Sequence, residues 1–216
     1  MAGMDLDRWW PGLLDKHTQI RDRLVSAYDD KTRGYHDLRH LEEVFGRLDM
    51  LMPADFPDRD AVLLGAWFHD AVYEAGTSAG ETDEERSAIM AERELATVDA
   101  PPQLVDEVAR LVRLTTSHEP SPDDVSGQLL CDADLAILAA DEQRYAEYVA
   151  GVRKEYADLS DEEFRQGRKA ILEGLLAKTQ LFHTSAAHDA WEEQSRANVR
   201  DELARLASPK PGGGDP

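Results

Sequence analysis

The run AVLLGAWFHDAVY at positions 61–73 restricts the fold of this chain more than any other segment, because it is apolar almost all round a helix. Such a helix is stable when neighbouring elements bury it on all sides, as they do in a bundle. Elsewhere, apolar residues recur at helical spacing, and alternation of apolar and polar residues over the length of a strand is essentially absent. The sequence therefore predicts an all-α fold.

Prolines at positions 53, 57, 101, 102, 120 and 122 mark places where helices should begin or end. We predict helices over about 11–28, from just after 35, over 58–73, from about 82 to just before 101, from 102 onward, from about 132, and in two or three longer segments between 141 and 206. No internal repeat and no flexible linker interrupts this series. We expect one domain over residues 1–207 and a disordered tail, SPKPGGGDP, over 208–216.

The chain is strongly acidic, with 44 Asp and Glu residues against 24 Lys and Arg residues and a formal net charge of −20. Proteins that coat nucleic acids neutralise phosphates with cations, so this balance argues against that class, and it also disfavours binding to anionic membranes. A small phosphorylated substrate remains compatible where a metal ion and arginines reverse the local potential. Solubility alone is the simpler explanation for most of the acidic charges.

Cysteine usage and the absence of targeting segments indicate a cytoplasmic protein. Cys131 is the single cysteine, which excludes an intramolecular disulfide and fits a reducing compartment. The N-terminus lacks the basic start and apolar run of a secretory signal. No segment approaches the roughly 20 apolar residues that a membrane-spanning helix needs.

Polar residues inside apolar helices indicate a candidate site, and the clearest case is the pair His69–Asp70. An ionised carboxylate in an apolar interior is costly unless it is paired or binds a metal. Taken alone, a core histidine hydrogen-bonded to a carboxylate explains this pair more simply than a metal does. Further ligand-type residues in similar settings weaken that explanation.

Those further residues come from two other segments. In YHDLRHLEEVF, His36 and His40 are four residues apart and face one side of a helix, with His40 inward and His36 nearer to the mouth of a cleft. In CDADLAILAA, Asp132 and Asp134 stand at the predicted start of an apolar helix, where N-capping is the simpler role for either. We expect Asp132 to cap and Asp134 to turn inward. The mixed nitrogen and oxygen set suits Mn, Fe, Co, Ni, Zn or Mg in open coordination.

These residues resemble the HD superfamily of metal-dependent phosphohydrolases, whose signature is H…HD…D on a helical bundle. Still closer is a bacterial group of HD-superfamily proteins with YHxxxH, FHDxxY, NExxS, TxxH, DADLAIL and RxEY blocks. This chain has YHDLRH, FHDAVY, TTSH, CDADLAIL and RKEY in that order, followed by FRQGR and SRAN, so that the resemblance extends to Leu206. One departure is DEERS at 83–87, where Asp83 replaces the asparagine of NExxS.

The resemblance implies an HD-type bundle that hydrolyses a small phosphate ester or anhydride, with nucleotides among the substrate classes of the superfamily. Its metal ligands would be His40, His69, Asp70 and Asp134, and Asp70 would also act in catalysis. The Ala133–Asp134 context matches the family's fourth ligand better than Asp132 does.

Several other residues are predicted to act around the ion. Glu74, one turn after Asp70 if the helix continues, is a candidate catalytic acid, although helix-end glutamates are commonly solvated. His36 and His118 are candidates for contact with the substrate or a second ion, while a helix C-terminus explains His118 equally well. The guanidinium fork suits phosphate, which makes substrate-binding candidates of Arg39, Arg153 and Arg168. Ion pairs with the many acids are at least as good an explanation for these arginines.

Two other functions stay open on this sequence. One is a regulatory module that keeps a metal or nucleotide but no longer turns over. The other is a di-iron oxygenase, which needs additional histidines such as His36 and His118. A homodimer is compatible with a compact helical domain, without any specific sequence feature to support it.

Overall fold

The computed structural model describes residues 6–75 and 80–207, and within them it is helical and contains no strand, which confirms the all-α prediction. The α-helices are α1 (Thr18–Tyr28), α2 (Leu38–Leu51), α3 (Arg59–Phe68), α4 (Asp83–Ala96), α5 (Pro102–Leu114), α6 (Val125–Leu135), α7 (Glu142–Glu155), α8 (Asp161–Ala177) and α9 (Ser185–Ala207). Short 3-10 helices lie at Leu6–Trp9, Gly12–Leu14 and Ala136–Ala139. None of the described helices has both the length and the apolar composition needed to cross a membrane. The predicted tail at 208–216 lies outside the described residues.

Two clusters of buried apolar side chains form the core, and they meet at the end of α6. The first cluster, which includes Trp67, is built mainly by α1 to α5. The second, which includes Leu172, is built by the last 3-10 helix and α7 to α9. Ala133 belongs to the first cluster and Ala136 to the second, so Asp134 lies at their border.

The third helix ends at Phe68 and does not run on to 73 as predicted. Side chains from elsewhere bind the backbone groups that a longer helix would use. The hydroxyl of Tyr28 accepts from the Asp70 N–H at 3.2 Å, and the Arg33 guanidinium donates to the Asp70 carbonyl at 2.8 Å. The Ser87 hydroxyl pairs with both backbone groups of residue 72. His69 and Asp70 therefore lie in a turn after the helix.

The sixth helix begins at Val125, so the prediction of a start near Asp132 was wrong, and Asp132 and Asp134 lie at its C-terminal end. The side chain of Asp124 caps the observed start by accepting from the Gly127 N–H at 2.9 Å. The first helix likewise begins later than predicted, at Thr18, because the preceding segment forms a 3-10 turn.

A close approach of two backbones positions the loop before α2. A Cβ atom on Gly151, in α7, would lie 2.5 Å from the carbonyl oxygen of Gly34, and a Cβ on Gly34 would overlap the carbonyl of Gly151. Such separations are below those that real side chains adopt. Glycine at both positions therefore lets α7 lie directly against the loop that carries His36.

Candidate metal centre

Four side chains singled out by the sequence converge at the border of the two core clusters. His40 comes from α2, Asp134 from the end of α6, and His69 and Asp70 from the turn after α3. The Nε2 atoms of His40 and His69 are 3.0 Å apart. Oδ1 of Asp134 lies 3.2 Å from the first nitrogen and 3.6 Å from the second. Oδ2 of Asp70 lies 3.4 Å and 3.1 Å from the same two nitrogens.

The ligand atoms of His40, His69 and Asp134 are close enough to one another to bind one ion, and Asp70 lies within 3.4 Å of both imidazole nitrogens. Nitrogen and oxygen ligands lie about 2.0–2.2 Å from zinc and similar ions, so neighbouring ligands are roughly 2.9–3.6 Å apart. The five separations, from 3.0 to 3.6 Å, fall in that range. Both imidazoles are buried, whereas the carboxylates of Asp70 and Asp134 keep 16% and 14% of their side-chain surface exposed. One side of the arrangement is thus open to solvent.

The charges of the four groups favour a bound cation. Burial alone would raise the pKa of Asp134, but the charge of His69 and a hydrogen bond from His118 hold that pKa far below its usual range. Burial would lower the pKa of His40, yet its hydrogen bonds to Asp134 and Asp70 raise the pKa to about 10. Carboxylates that draw protons onto buried imidazoles supply the negative charge that a divalent ion can neutralise instead.

A backbone carbonyl orients His69 for this role. Its Nδ1 lies 2.7 Å from the carbonyl oxygen of Ala66. Because a carbonyl can only accept, Nδ1 carries the proton and Nε2 is left free as a ligand atom.

Asp132 and Asp134 point to different sides of α6. The two oxygens of Asp132 accept from the N–H groups of His183 and Thr184, each at 2.7 Å, directly before α9. Asp132 is fully buried, and burial raises the pKa of its carboxyl. It therefore binds the backbone ahead of α9 instead of capping a helix of its own, while Asp134 joins the candidate ligands.

Glu155 holds His36 beside the candidate ligands. Its Oε1 accepts from the backbone N–H groups of residues 34, 35 and 36, and its Oε2 lies 2.9 Å from His36 Nδ1. The hydroxyl of Tyr73 donates to the same Oε2, and the ring of Tyr73 stacks on His36 with centroids 4.1 Å apart. Burial would raise the pKa of Glu155, but the hydrogen bond and charge of His36 lower it to about 2. The sequence analysis did not single out Glu155, although it is the glutamate of the RKEY block.

His118 reaches the candidate ligands from the end of α5. Its Nε2 lies 2.8 Å from Oδ2 of Asp134. Its backbone has a φ of 51°, in the left-handed region that residues with a Cβ rarely adopt. The His118 N–H donates to the Leu114 carbonyl at 2.9 Å, and His183 Nε2 lies 3.2 Å from the His118 carbonyl oxygen. Contacts on both sides thus fix a strained residue whose side chain reaches Asp134.

Three other predicted residues lie in ion pairs or backbone contacts away from the four ligands. Glu74 is exposed and accepts from Arg86 at 2.9 Å, and the helical spacing that suggested its role was wrong because α3 ends earlier. Arg39 binds the carboxylates of α2 and α7, with Nη1 2.8 Å from Glu147. Arg153 donates to two backbone carbonyls and to Asp161. Roles for these three in catalysis or substrate binding stay predictions.

A cleft of about 810 Å³ extends from Asp134 between α7, α8 and the turn that follows α5. His36, His118 and Asp134 line its inner end. Arg168 also lines the cleft, but it is buried and pairs with Glu202 at 2.8 Å. The structure therefore brings His36, His118 and Arg168 to one cleft with the ligand set.

Comparison of the chain with models of protein families, with curated proteins and with solved structures finds no match.

Proposed function

We propose that this protein is a metal-dependent phosphohydrolase that acts on a small phosphate ester or anhydride. The ligands of its divalent ion would be His40, His69, Asp70 and Asp134. The observation that carries the proposal is that carboxylate oxygens of Asp70 and Asp134 lie 3.1–3.6 Å from the Nε2 atoms of His40 and His69, and that Asp134 also lines an 810 Å³ cleft. The ordered blocks that resemble the HD superfamily support the same chemistry.

A bound divalent ion would supply a water of lowered pKa and stabilise charge on the phosphoryl oxygens. The protein's own contribution is to orient groups around the reacting phosphorus. Glu155 occupies Nδ1 of His36, so Nε2 is the atom left to face the substrate. Both His36 and His118 line the cleft at its inner end, which suits either for donating a proton to the leaving oxygen.

The experiment that tests the proposal is elemental analysis of protein purified without chelators or nickel columns, followed by a screen for phosphate release from esters and anhydrides. We expect roughly stoichiometric metal and release of phosphate, both lost in Asp70→Asn. Asp106→Asn, an exposed acid on α5, is the control and should keep both.

Other outcomes separate the alternatives. Stoichiometric metal without turnover would favour a regulatory module. Iron together with an oxygen-dependent reaction would favour an oxygenase. A folded protein that binds no ion even after reconstitution with each candidate metal would contradict the proposal.

A further inference from the structure

One wall of the cleft beside the candidate ligands is apolar. A phosphoryl group, which is charged, would not need such a wall. Only the inner end of the cleft carries the histidines and Asp134, whereas α7, α8 and the segment between them present apolar side chains. The lining there includes Val152, Tyr156, Leu159, Phe164, Ile171 and Leu175.

The charged groups of the cleft do not suit a polyanion. Among the described residues, three acids, Glu84, Glu119 and Glu163, line it in addition to Asp134. The cations among those described lining residues are Lys178, which lies 2.7 Å from Glu119, and Arg168, which pairs with Glu202. Each phosphate of a polyphosphate loses water when it binds, and this costs free energy because the phosphate is charged. A site for such a chain therefore needs several cations or hydrogen-bond donors that are not already paired.

The size of the cleft also exceeds what the reacting group needs. At about 810 Å³ it lies in the range of sites that enclose a whole small molecule, roughly 300–1,000 Å³. Ile171 lies on this wall with 56% of its surface exposed. A ligand that lies against α8 would cover it.

From these observations we infer the class of substrate: a phosphate monoester whose alcohol part is apolar or aromatic and lies against α7 and α8, with the phosphoryl group at the candidate ligands. This inference rests on the proposed function, because the metal site fixes which end of the ligand carries the phosphate. Nucleoside triphosphates and inorganic polyphosphates are disfavoured by the acids of the cleft.

The test compares phenylphosphonate with methylphosphonate, two analogues that hydrolysis does not consume, by calorimetric titration of the manganese-loaded protein. We expect phenylphosphonate to bind about 10-fold more tightly, since the ring buries additional apolar area. Ile171→Glu should reduce this preference to about 2-fold or less by placing a charge on the apolar wall. Val125→Glu, on a similarly exposed apolar residue outside the cleft, should keep the preference.

Equal affinity for the two phosphonates, or failure of both to bind, would overturn the inference. Tighter binding of tripolyphosphate than of phenylphosphonate would do the same. The proposed function can fail separately. A clear preference for phenylphosphonate without hydrolysis of any ester would support an apolar binding cleft and contradict the proposed hydrolase activity. Hydrolysis of esters without that preference would support the hydrolase activity and contradict the inferred class of substrate.

Discussion

Oδ2 of Asp134 lies 2.8 Å from Nε2 of His118, while Oδ1 of the same carboxylate faces the imidazoles of His40 and His69. One carboxylate thus joins the buried candidate ligands to a histidine that lines the cleft. The position of Asp134 would consequently affect both the binding of an ion and the placement of His118.

The two aspartates of the DAD segment should respond differently to the same substitution. We expect Asp134→Asn to weaken metal binding by at least about 100-fold, because it removes a candidate ligand charge. Asp132→Asn should leave metal binding nearly unchanged but lower the free energy of unfolding by about 1–3 kcal/mol, because the amide nitrogen that replaces one carboxylate oxygen cannot accept its hydrogen bond. Metal titration and urea unfolding of both variants measure these effects. Loss of metal in Asp132→Asn alone would contradict the assignment.

Glu155 should make stability depend on pH in the acid range. The folded protein lowers its pKa from 4.5 to about 2. The ionised Glu155 therefore adds about 3 kcal/mol to the free energy of unfolding above pH 4.5. This contribution is lost as the pH falls towards 2. The difference in unfolding free energy between wild type and Glu155→Gln should shrink over that window. Denaturant unfolding at several pH values measures it, and a difference that stays constant would exclude this role.

The left-handed backbone at His118 can be tested by two truncations that both remove the imidazole. Glycine adopts a φ of 51° without strain, whereas the Cβ of alanine costs roughly 1–2 kcal/mol there. His118→Gly should therefore be about 1 kcal/mol more stable than His118→Ala. Thermal or urea unfolding provides the comparison, and equal stabilities would mean that the backbone relaxes on mutation.

The buried pair of Arg168 and Glu202 should show strong coupling. Arg168→Met leaves a buried carboxylate without its partner, and Glu202→Leu leaves a buried guanidinium, so each should cost about 3 kcal/mol or more. The double variant has neither uncompensated charge and should be more stable than either single variant. A double-mutant cycle measures the coupling, and purely additive losses would show that the pair does not act as a unit.

The close approach of Gly151 and Gly34 predicts opposite results for two helix glycines. Gly151→Ala should destabilise the protein by about 2 kcal/mol or more, because its Cβ meets a backbone carbonyl that cannot move alone. Gly46→Ala, in α2 with open space around it, should stabilise by up to about 1 kcal/mol. Urea unfolding distinguishes the two, and a neutral Gly151→Ala would indicate that α7 can shift away from the loop.

The sequence predicted the fold class and the four residues that converge because both depend on local patterns. Helical periodicity is visible in any short window, and polar residues inside an apolar run stand out without knowledge of the rest of the chain. The end of α3 could not be predicted in this way, because Tyr28, Arg33 and Ser87 decide it from distant positions.

Contacts between distant positions also explain why the start of α6 was predicted wrongly and why Glu155 was not singled out. Asp132 resembled an N-cap in the sequence, yet the N–H groups it binds lie 51 and 52 residues away. The partner of His36 is Glu155, 119 residues further along, so no spacing rule connects them. Sequence reasoning found the candidate ligands but not the long-range contacts of Asp132 and His36.

The border between the two core clusters has a consequence for how this protein unfolds. His40 and His69 extend from the first cluster, and Asp134 lies where the second begins. An ion held by all of them would have to be released before either half could unfold without the other. A bound ion should therefore tie the two clusters together, so that they separate less readily in the metal-loaded protein than in the metal-free protein.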